Sequence, residues 1–250
     1  MKVVVIGGTG LIGSRLVAKL RDDGHDAVAA APNTGVNTLT GEGLADALEG
    51  ADAVVDVSNS ASFAAEEVLN FFTTSTRNLL AAEAVAGVRH HVALSIVGTE
   101  RLQDNPYFRA KAAQERLIQS GPIPYTIIHA TQFFEFMKGI ADASTTGNVV
   151  KVSSSFVQPL AADDVVSEVE RVALGAPLNS IIEVAGPEAF RLDDIVRRRL
   201  AVTGDSREVT GDPAAPYFGA VLQERALLPG PHARLAATRF EDWVTESVPK

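Results

Sequence analysis

Apolar residues along this chain follow two alternating patterns. Val3-Val4-Val5-Ile6, Ala27-Val28-Ala29-Ala30-Ala31, Ala53-Val54-Val55, Val92-Ala93-Leu94 and Tyr125-Thr126-Ile127-Ile128 are short apolar runs without polar alternation, as expected of strands buried on both faces. Between them, apolar residues recur every three or four positions, as in Leu16, Val17 and Leu20, then Val68, Leu69, Phe72, Leu79 and Leu80, the spacing of an amphipathic helix. This predicts strands over 2–6, 27–31, 52–57, 91–96 and 125–129, a short strand over 35–39, and a clipped helix over 44–48. A long helix over 64–86 is closed by Gly87, and another opens with Asn105 as N-cap and Pro106 at its first position. Strand and helix in alternation give an α/β fold with a doubly wound parallel sheet.

Past residue 145 the rhythm loosens. Strands are expected at 149–152, 156–157 and 181–184, and helices at 162–174, 192–203 and about 239–247, with Pro213, Pro216, Pro229 and Pro231 in loops. The expected division is a nucleotide-binding core over 1–145 and a smaller substrate-covering lobe over 146–250, integrated with the core.

The first strand runs into Gly7-Gly8-Thr9-Gly10-Leu11-Ile12-Gly13. Glycines at 7, 10 and 13 permit a sharp turn, close approach of backbone to a pyrophosphate, and packing of the next helix on the sheet. The helix N-terminus adds free N–H groups and the positive end of a dipole. Strand, glycine turn and helix in this order are the context a dinucleotide site requires. Gly7, Thr9, Gly10, Leu11, Ile12 and Gly13 are its candidate residues. The second strand ends in Ala30, Ala31, Pro32, Asn33 and Thr34, with no acid to bond the ribose hydroxyls or repel a 2′-phosphate. Arg15, Asn33 and Thr34 are the polar groups expected within reach, which favours NADP(H) over NAD(H). Ser58, Asn59 and Ser60, at the carboxyl end of the 52–57 strand, join the coenzyme set.

Charge and composition narrow the partners. Lys and Arg total 22 against 31 Asp and Glu, a net charge of −9, which repels a phosphate backbone and argues against nucleic acid. Arg197-Arg198-Arg199 reads as a solvated helix face. With no cysteine, disulfides, thiolate metal sites and a cysteine nucleophile are excluded. His90 and His91 read as structural, and Asp52, Asp56 and Glu135 lie on separate elements, so no metal-ligand spacing emerges. No apolar run approaches the roughly eighteen residues of a membrane span. The first strand begins without a leader, so the expected address is the cytoplasm, with a small molecule as partner; a homo-oligomer is compatible with this.

Taken together, these residues resemble the short-chain dehydrogenase/reductase superfamily, and within it the atypical, NmrA-like NAD(P)-binding branch with its Rossmann fold. The glycine turn is similar to the family's glycine motif, and Thr76-Arg77-Asn78-Leu79-Leu80-Ala81-Ala82 to its central helix. Gly87-Val88-Arg89-His90-His91-Val92 through Ser95 resembles its fifth-strand entry, and Val184-Ala185-Gly186-Pro187-Glu188 its C-terminal lobe. The likeness covers about residues 1 to 200. It implies a catalytic Ser, Tyr and Lys, matched here by Ser95, Tyr107 and Lys111, with Tyr107-Phe108-Arg109-Ala110-Lys111 in the family's Y-x-x-x-K order. The chemistry agrees. Reduction of a carbonyl needs a proton donor for the developing alkoxide, and a phenol of pKa near 10 serves only if a neighbouring cation lowers it. Lys111 is the expected cation and a holder of the nicotinamide ribose; Ser95 is expected to hydrogen-bond the carbonyl oxygen, and Asn78 to support catalysis.

By the same resemblance the segment from Thr131 borders the nicotinamide and begins the substrate pocket. His129, Phe133, Phe134 and Phe136 are its expected lining, with Phe156, Tyr217 and Phe218 as further apolar wall. The resulting expectation is an NADPH-dependent oxidoreductase of a small hydrophobic carbonyl. The alternatives are an NADP-binding redox sensor without turnover, and an epimerase or dehydratase of the nucleotide-sugar type.

Overall fold

The computed structural model describes residues 1–247. In chain order the first half contains β1 (Lys2–Ile6), α1 (Leu11–Asp22), β2 (Asp26–Ala30), α2 (Leu44–Leu48), β3 (Ala53–Asp56), α3 (Ala65–Ala86), β4 (His90–Ile96), α4 (Pro106–Ser120) and β5 (Tyr125–Ala130). Then follow α5 (Met137–Ala143), β6 (Thr145–Thr146), β7 (Val149–Val152), β8 (Phe156–Val157), α6 (Ala162–Ala173), β9 (Ser180–Ala185) and β10 (Phe190–Arg191). The chain closes with α7 (Leu192–Val202), β11 (Glu208–Gly211), β12 (Pro216–Tyr217), β13 (Ala220–Val221), β14 (Arg234–Leu235) and α8 (Phe240–Ser247).

Seven strands form a parallel sheet in the order β2-β1-β3-β4-β5-β9-β14. This is the doubly wound α/β architecture that the alternation predicts. Val3, Val4 and Val5 are all fully buried, as are Val54 and Val55, so both faces of the central strands are covered. That is why they carry no polar alternation. Val4, Ile6, Val54, Leu44, Leu48 and Leu79 make one apolar cluster.

The fold separates into two compact units. One comprises Met1–His129 with Val165–Ile182, and the other Ala130–Asp164 with Glu183 onward. Contacts thus change over at the end of β5, and residues 165–182 belong with the N-terminal unit. In the second unit β11 pairs parallel with β7, and β6 antiparallel with it, while β12 and β13 form a hairpin. No helix of the described residues is long and apolar enough to cross a membrane. Among them, no cluster of His, Asp and Glu could hold a metal ion.

The strand predicted over 35–39 does not form. This stretch is a loop with a single antiparallel bridge, Asn37 to Glu42. Gly35, Gly41 and Gly43 take φ of +84°, +81° and +70°, and a Cβ on Gly43 would lie 2.2 Å from the Gly35 carbonyl oxygen. These turns close the loop on itself before a strand can extend. Asn78 anchors it, its amide donating to the carbonyls of Thr38 and Leu39 at 2.9 and 3.0 Å. Asn78 is thereby a loop anchor rather than the catalytic support expected of it.

His90 and His91 are structural. His90 pairs with Thr126 Oγ1 at 2.9 Å, and His91 Nδ1 with Glu83 Oε1 at 2.8 Å, both side chains being fully buried. Burial alone would lower the His91 pKa, but the Glu83 charge and hydrogen bond outweigh it and raise it. A folded-state pKa above the unfolded one adds stability below the unfolded value, and this is lost as pH rises through the folded value. Glu83→Gln is therefore expected to cost about 3 kcal/mol, and more at pH 6 than at pH 9, read from urea unfolding at the two pH values.

Candidate functional site

The glycine turn follows β1 directly. Gly7 adopts φ +79°, where a Cβ would lie 2.8 Å from the Ser58 backbone. A Cβ on Gly13 would meet the Gly7 carbonyl oxygen at 2.2 Å, and one on Gly8 the Ala29 Cα at 2.7 Å. Turn, β2, α1 and the loop after β3 are thus in backbone contact. Gly8 is a further required glycine that the spacing of 7, 10 and 13 does not single out. Gly10 is the N-cap of α1 and supplies no side-chain cap, and the first turn carries no acid. Among the described residues the N–H groups of Leu11, Ile12 and Gly13 therefore have no side-chain acceptor, which fits a pyrophosphate.

Around this turn, Thr9 Oγ1 donates to Asn33 Oδ1 at 3.1 Å. Thr34, although exposed, is engaged locally: its hydroxyl contacts Ala31 N and the carbonyls of Ala29 and Ala31 at 2.9 Å. That corrects its expected place beside a 2′-phosphate, since the hydroxyl already closes the turn after β2. Arg15 is half-buried on α1. Ser58 commits both its N–H and its hydroxyl to Asp56 Oδ1, at 3.0 and 2.6 Å. Asn59 Oδ1 accepts from Ser60 N at 2.9 Å, and Ser60 Oγ from Ser62 N at 3.2 Å. The coenzyme-side loop after β3 is thus ordered by its own side chains.

The predicted catalytic residues stand on β4 and α4. Asn105 caps α4, its Oδ1 accepting from the N–H of Tyr107 and Phe108 at 2.8 and 3.4 Å. Tyr107 and Lys111 are one helical turn apart and share Phe72. The Tyr107 ring lies edge-on at 5.8 Å from the Phe72 ring, and Lys111 Nζ stands 4.5 Å above the same ring. Phe63 and Phe108 complete the Tyr107 surroundings, at 5.6 and 6.2 Å. Its hydroxyl makes no hydrogen bond among the described residues. Burial pushes Tyr107 up to about 12. The expectation that Lys111 lowers it is not met, because the ammonium is turned to other partners. Lys111 Nζ donates to the Leu94 carbonyl at 2.9 Å and to Gln114 Oε1. Burial lowers Lys111 to about 8, against the opposing pull of Asp56 and Glu115.

Ser95 is also committed. Its hydroxyl donates to Glu115 Oε1, and the same oxygen pairs with His129 Nε2 at 2.9 Å. A hydroxyl has one proton, so here Ser95 has none left for a carbonyl oxygen, contrary to its expected role. Burial works to raise Glu115, but the His129 and Ser95 hydrogen bonds and the Lys111 charge prevail and hold it below the usual carboxylate range. His129, expected as pocket lining, is buried in this pair.

In the second unit, Thr131 Oγ1 donates to the Gln158 carbonyl at 2.6 Å. Phe134 is fully buried, against Phe240 and Trp243 at 5.4 and 5.3 Å. It is a core residue, not the pocket wall expected. Phe133 stacks on Phe136 at 5.2 Å, and Arg191 sits over Phe156 at 4.0 Å. A cavity of about 140 Å³ does open in this unit, lined by Tyr217, Phe218, Ile140, Val152, Leu192 and Ser153 among others. Of the expected aromatic lining, only Tyr217 and Phe218 face it.

A family model described as NAD(P)H-binding matches residues 7–158. The chain belongs to this NAD(P)H-binding family. Its resemblance to the atypical short-chain dehydrogenases/reductases stands with it. Photosystem II assembly factor Ycf39 of Synechocystis sp. is 24% identical over 233 residues, spanning 86% of this chain and 72% of the relative. A (4-alkanoyl-5-oxo-2,5-dihydrofuran-3-yl)methyl phosphate reductase of Streptomyces griseus is 27% identical over 206 residues, 75% of this chain and 69% of that one. Among solved structures, MoeE5 in complex with UDP-glucose and NAD superposes with a TM-score of 0.76 at 20% identity, covering 98% of this chain and 96% of that one. A dTDP-4-dehydrorhamnose reductase of Bacillus anthracis in complex with NADP gives 0.66 at 12% identity, over 89% of each chain. At these identities the solved structures share the fold.

Within this NAD(P)H-binding chain, the structure adds Asp56, Gln114 and Glu115 to the residues read from sequence. Gln114 Nε2 donates to Asp56 Oδ2 at 2.9 Å. All three are almost fully buried. The available signal was spacing: Gln114 and Glu115 lie three and four residues after Lys111, on its face of the helix.

Proposed function

We propose that this protein is an NADPH-dependent oxidoreductase that reduces a small, mainly apolar carbonyl compound, with Tyr107 as proton donor. The observation that carries the reading is the pairing of Tyr107 and Lys111 one turn apart over Phe72, with the phenol free of any other hydrogen bond among the described residues. Gly7 to Gly13 would hold the pyrophosphate, and Arg15 and Asn33 the adenosine end. Bound NADPH would supply the hydride to the carbonyl carbon. Tyr107 gives its proton to the oxygen as negative charge builds there, and Lys111, held by the Leu94 carbonyl and Gln114, would bind the nicotinamide ribose. Ser95, whose hydroxyl donates its hydrogen bond to Glu115, acts in this scheme as an acceptor that aims a donor on the ligand.

A second reading, a coenzyme-binding regulator without turnover, draws support from Tyr107 being pushed up to about 12 and from a relative named as an assembly factor. The test is oxidation of NADPH and NADH with a panel of aldehydes, ketones and quinones, together with titration of both coenzymes. Turnover is expected, with NADPH bound at least about tenfold more tightly than NADH, or about 1.4 kcal/mol. Coenzyme binding with no turnover anywhere in a broad panel would favour the regulator, and equal affinities would remove the argument from the acid-free end of β2.

A further inference from the structure

We propose that Gln114 and Glu115, consecutive on α4 and one turn beyond Lys111, are positioning residues: Gln114 ties Lys111 to Asp56, and Glu115 accepts the Ser95 hydrogen bond while standing as a counter-charge one helical turn from Lys111. The role given to Lys111 and Ser95 rests on the reading above; the contacts themselves do not.

Lys111 is 3% exposed, and a buried ammonium sheds its proton unless negative charge faces it. Each element packed around it contributes to that balance. Asp56, at the end of β3, is reached through the Gln114 amide, which accepts from Lys111 and donates to Asp56. Glu115 lies on α4 itself. From β4 comes the neutral Leu94 carbonyl, and from α3 the Phe72 ring. Farther along β4 and α3 lies the His91–Glu83 pair, where Lys111 disfavours the protonated histidine. Asp56 and Glu115 are the two carboxylates that favour the Lys111 cation.

The amide of Gln114 has one acceptor and one donor end. Lys111 at one end and a carboxylate at the other fix its orientation, so that Lys111 is aimed and Asp56 shielded. Glu115 works likewise on the other side. With Ser95 and His129 bonded to one carboxylate oxygen, the serine hydroxyl can present only lone pairs outward. Ser95 is therefore set to receive a hydrogen bond from a donor on the ligand instead of donating one to a carbonyl.

The test uses the full-length protein with lysines labelled at Cε. The Lys111 signal, assigned by its loss in Lys111→Met, is titrated in wild type, Glu115→Gln and Glu115→Asp. Glu115→Gln keeps the shape and removes the charge, so Lys111 is expected to hold its proton about tenfold less tightly, whereas Glu115→Asp stays close to wild type. In the pH profile of turnover, the basic limb of Glu115→Gln moves to lower pH by the same factor. An unchanged Lys111 titration in Glu115→Gln would overturn the proposal, as would an Asp variant that behaves like the Gln variant. Should Glu115→Gln not fold, Gln114→Met reads the other arm: with the amide link to Asp56 cut, Lys111 again titrates at lower pH, and an unchanged midpoint overturns the proposal. Absence of turnover in wild type would count against the reductase reading alone, because the lysine titration needs no substrate.

Discussion

Replacing Gly13 by alanine is expected to raise the dissociation constant for NADPH by about 100-fold and to cost about 3 kcal/mol of stability, although alanine favours a helix interior over glycine by about 1 kcal/mol. The new methyl carbon would sit 2.2 Å from the Gly7 carbonyl oxygen and 2.8 Å from the Gly8 Cα. Both are backbone atoms of the turn and cannot rotate away as a side chain would. Relief requires α1 to lift off the turn, which moves the Leu11 to Gly13 N–H groups from their place. Gly24→Ala is the matching control: φ is +82° there, but nothing lies within 4 Å of the added carbon, so only backbone strain of about 1 kcal/mol is expected and coenzyme binding is retained. Thermal unfolding and fluorescence titration of NADPH on both variants check the pair.

Tyr107→Phe is expected to lower turnover about 1000-fold while leaving stability and NADPH affinity at wild-type values. The separation follows from the local contacts. The hydroxyl bonds to nothing among the described residues, whereas the ring packs on Phe72, Phe63 and Phe108, and phenylalanine keeps every one of those contacts. A phenol raised to about 12 by burial also carries its proton throughout the working pH range, so the wild-type site begins each cycle with the donor loaded. Matched urea midpoints with a collapsed kcat would attribute the loss to the proton. A fall in midpoint of similar size to a core truncation would instead make Tyr107 a packing residue.

What could be read from the sequence divides along physical lines. Val3 to Ile6 and Val92 to Leu94 announce themselves because both faces of each strand are buried, so apolarity is continuous. Asn105-Pro106 marks the start of α4 because a cap and a preset φ act within one turn. The stretch over 35–39 forms no strand because its path is set by left-handed glycines at 35, 41 and 43 and by Asn78, some forty residues away. Strand β14 has only Arg234 and Leu235, too few for any period to register. Phe134 looked like pocket lining because its partners, Phe240 and Trp243, lie more than a hundred residues later. At the catalytic cluster, spacing did identify Tyr107 and Lys111 as neighbours on one helix face. It could not reveal that Lys111 turns toward Gln114, or that Ser95 donates its hydrogen bond to Glu115, because polar residues on a helix read as solvent-facing until the sheet beneath them is known.

The most direct measurement is transfer of a label from coenzyme to product. Wild-type protein, NADPH carrying deuterium at the transferable position of the nicotinamide, and the aldehydes and ketones of the panel are incubated together, and the products are analysed by mass spectrometry, with quinone reduction followed separately by absorbance because hydroquinones retain no label. An alcohol bearing one deuterium on the former carbonyl carbon is expected, formed by wild type and at about a thousandth of the rate by Tyr107→Phe. Bound coenzyme with no labelled alcohol from any aldehyde or ketone and no quinone reduction, or label transferred equally well by the phenylalanine variant, would contradict this.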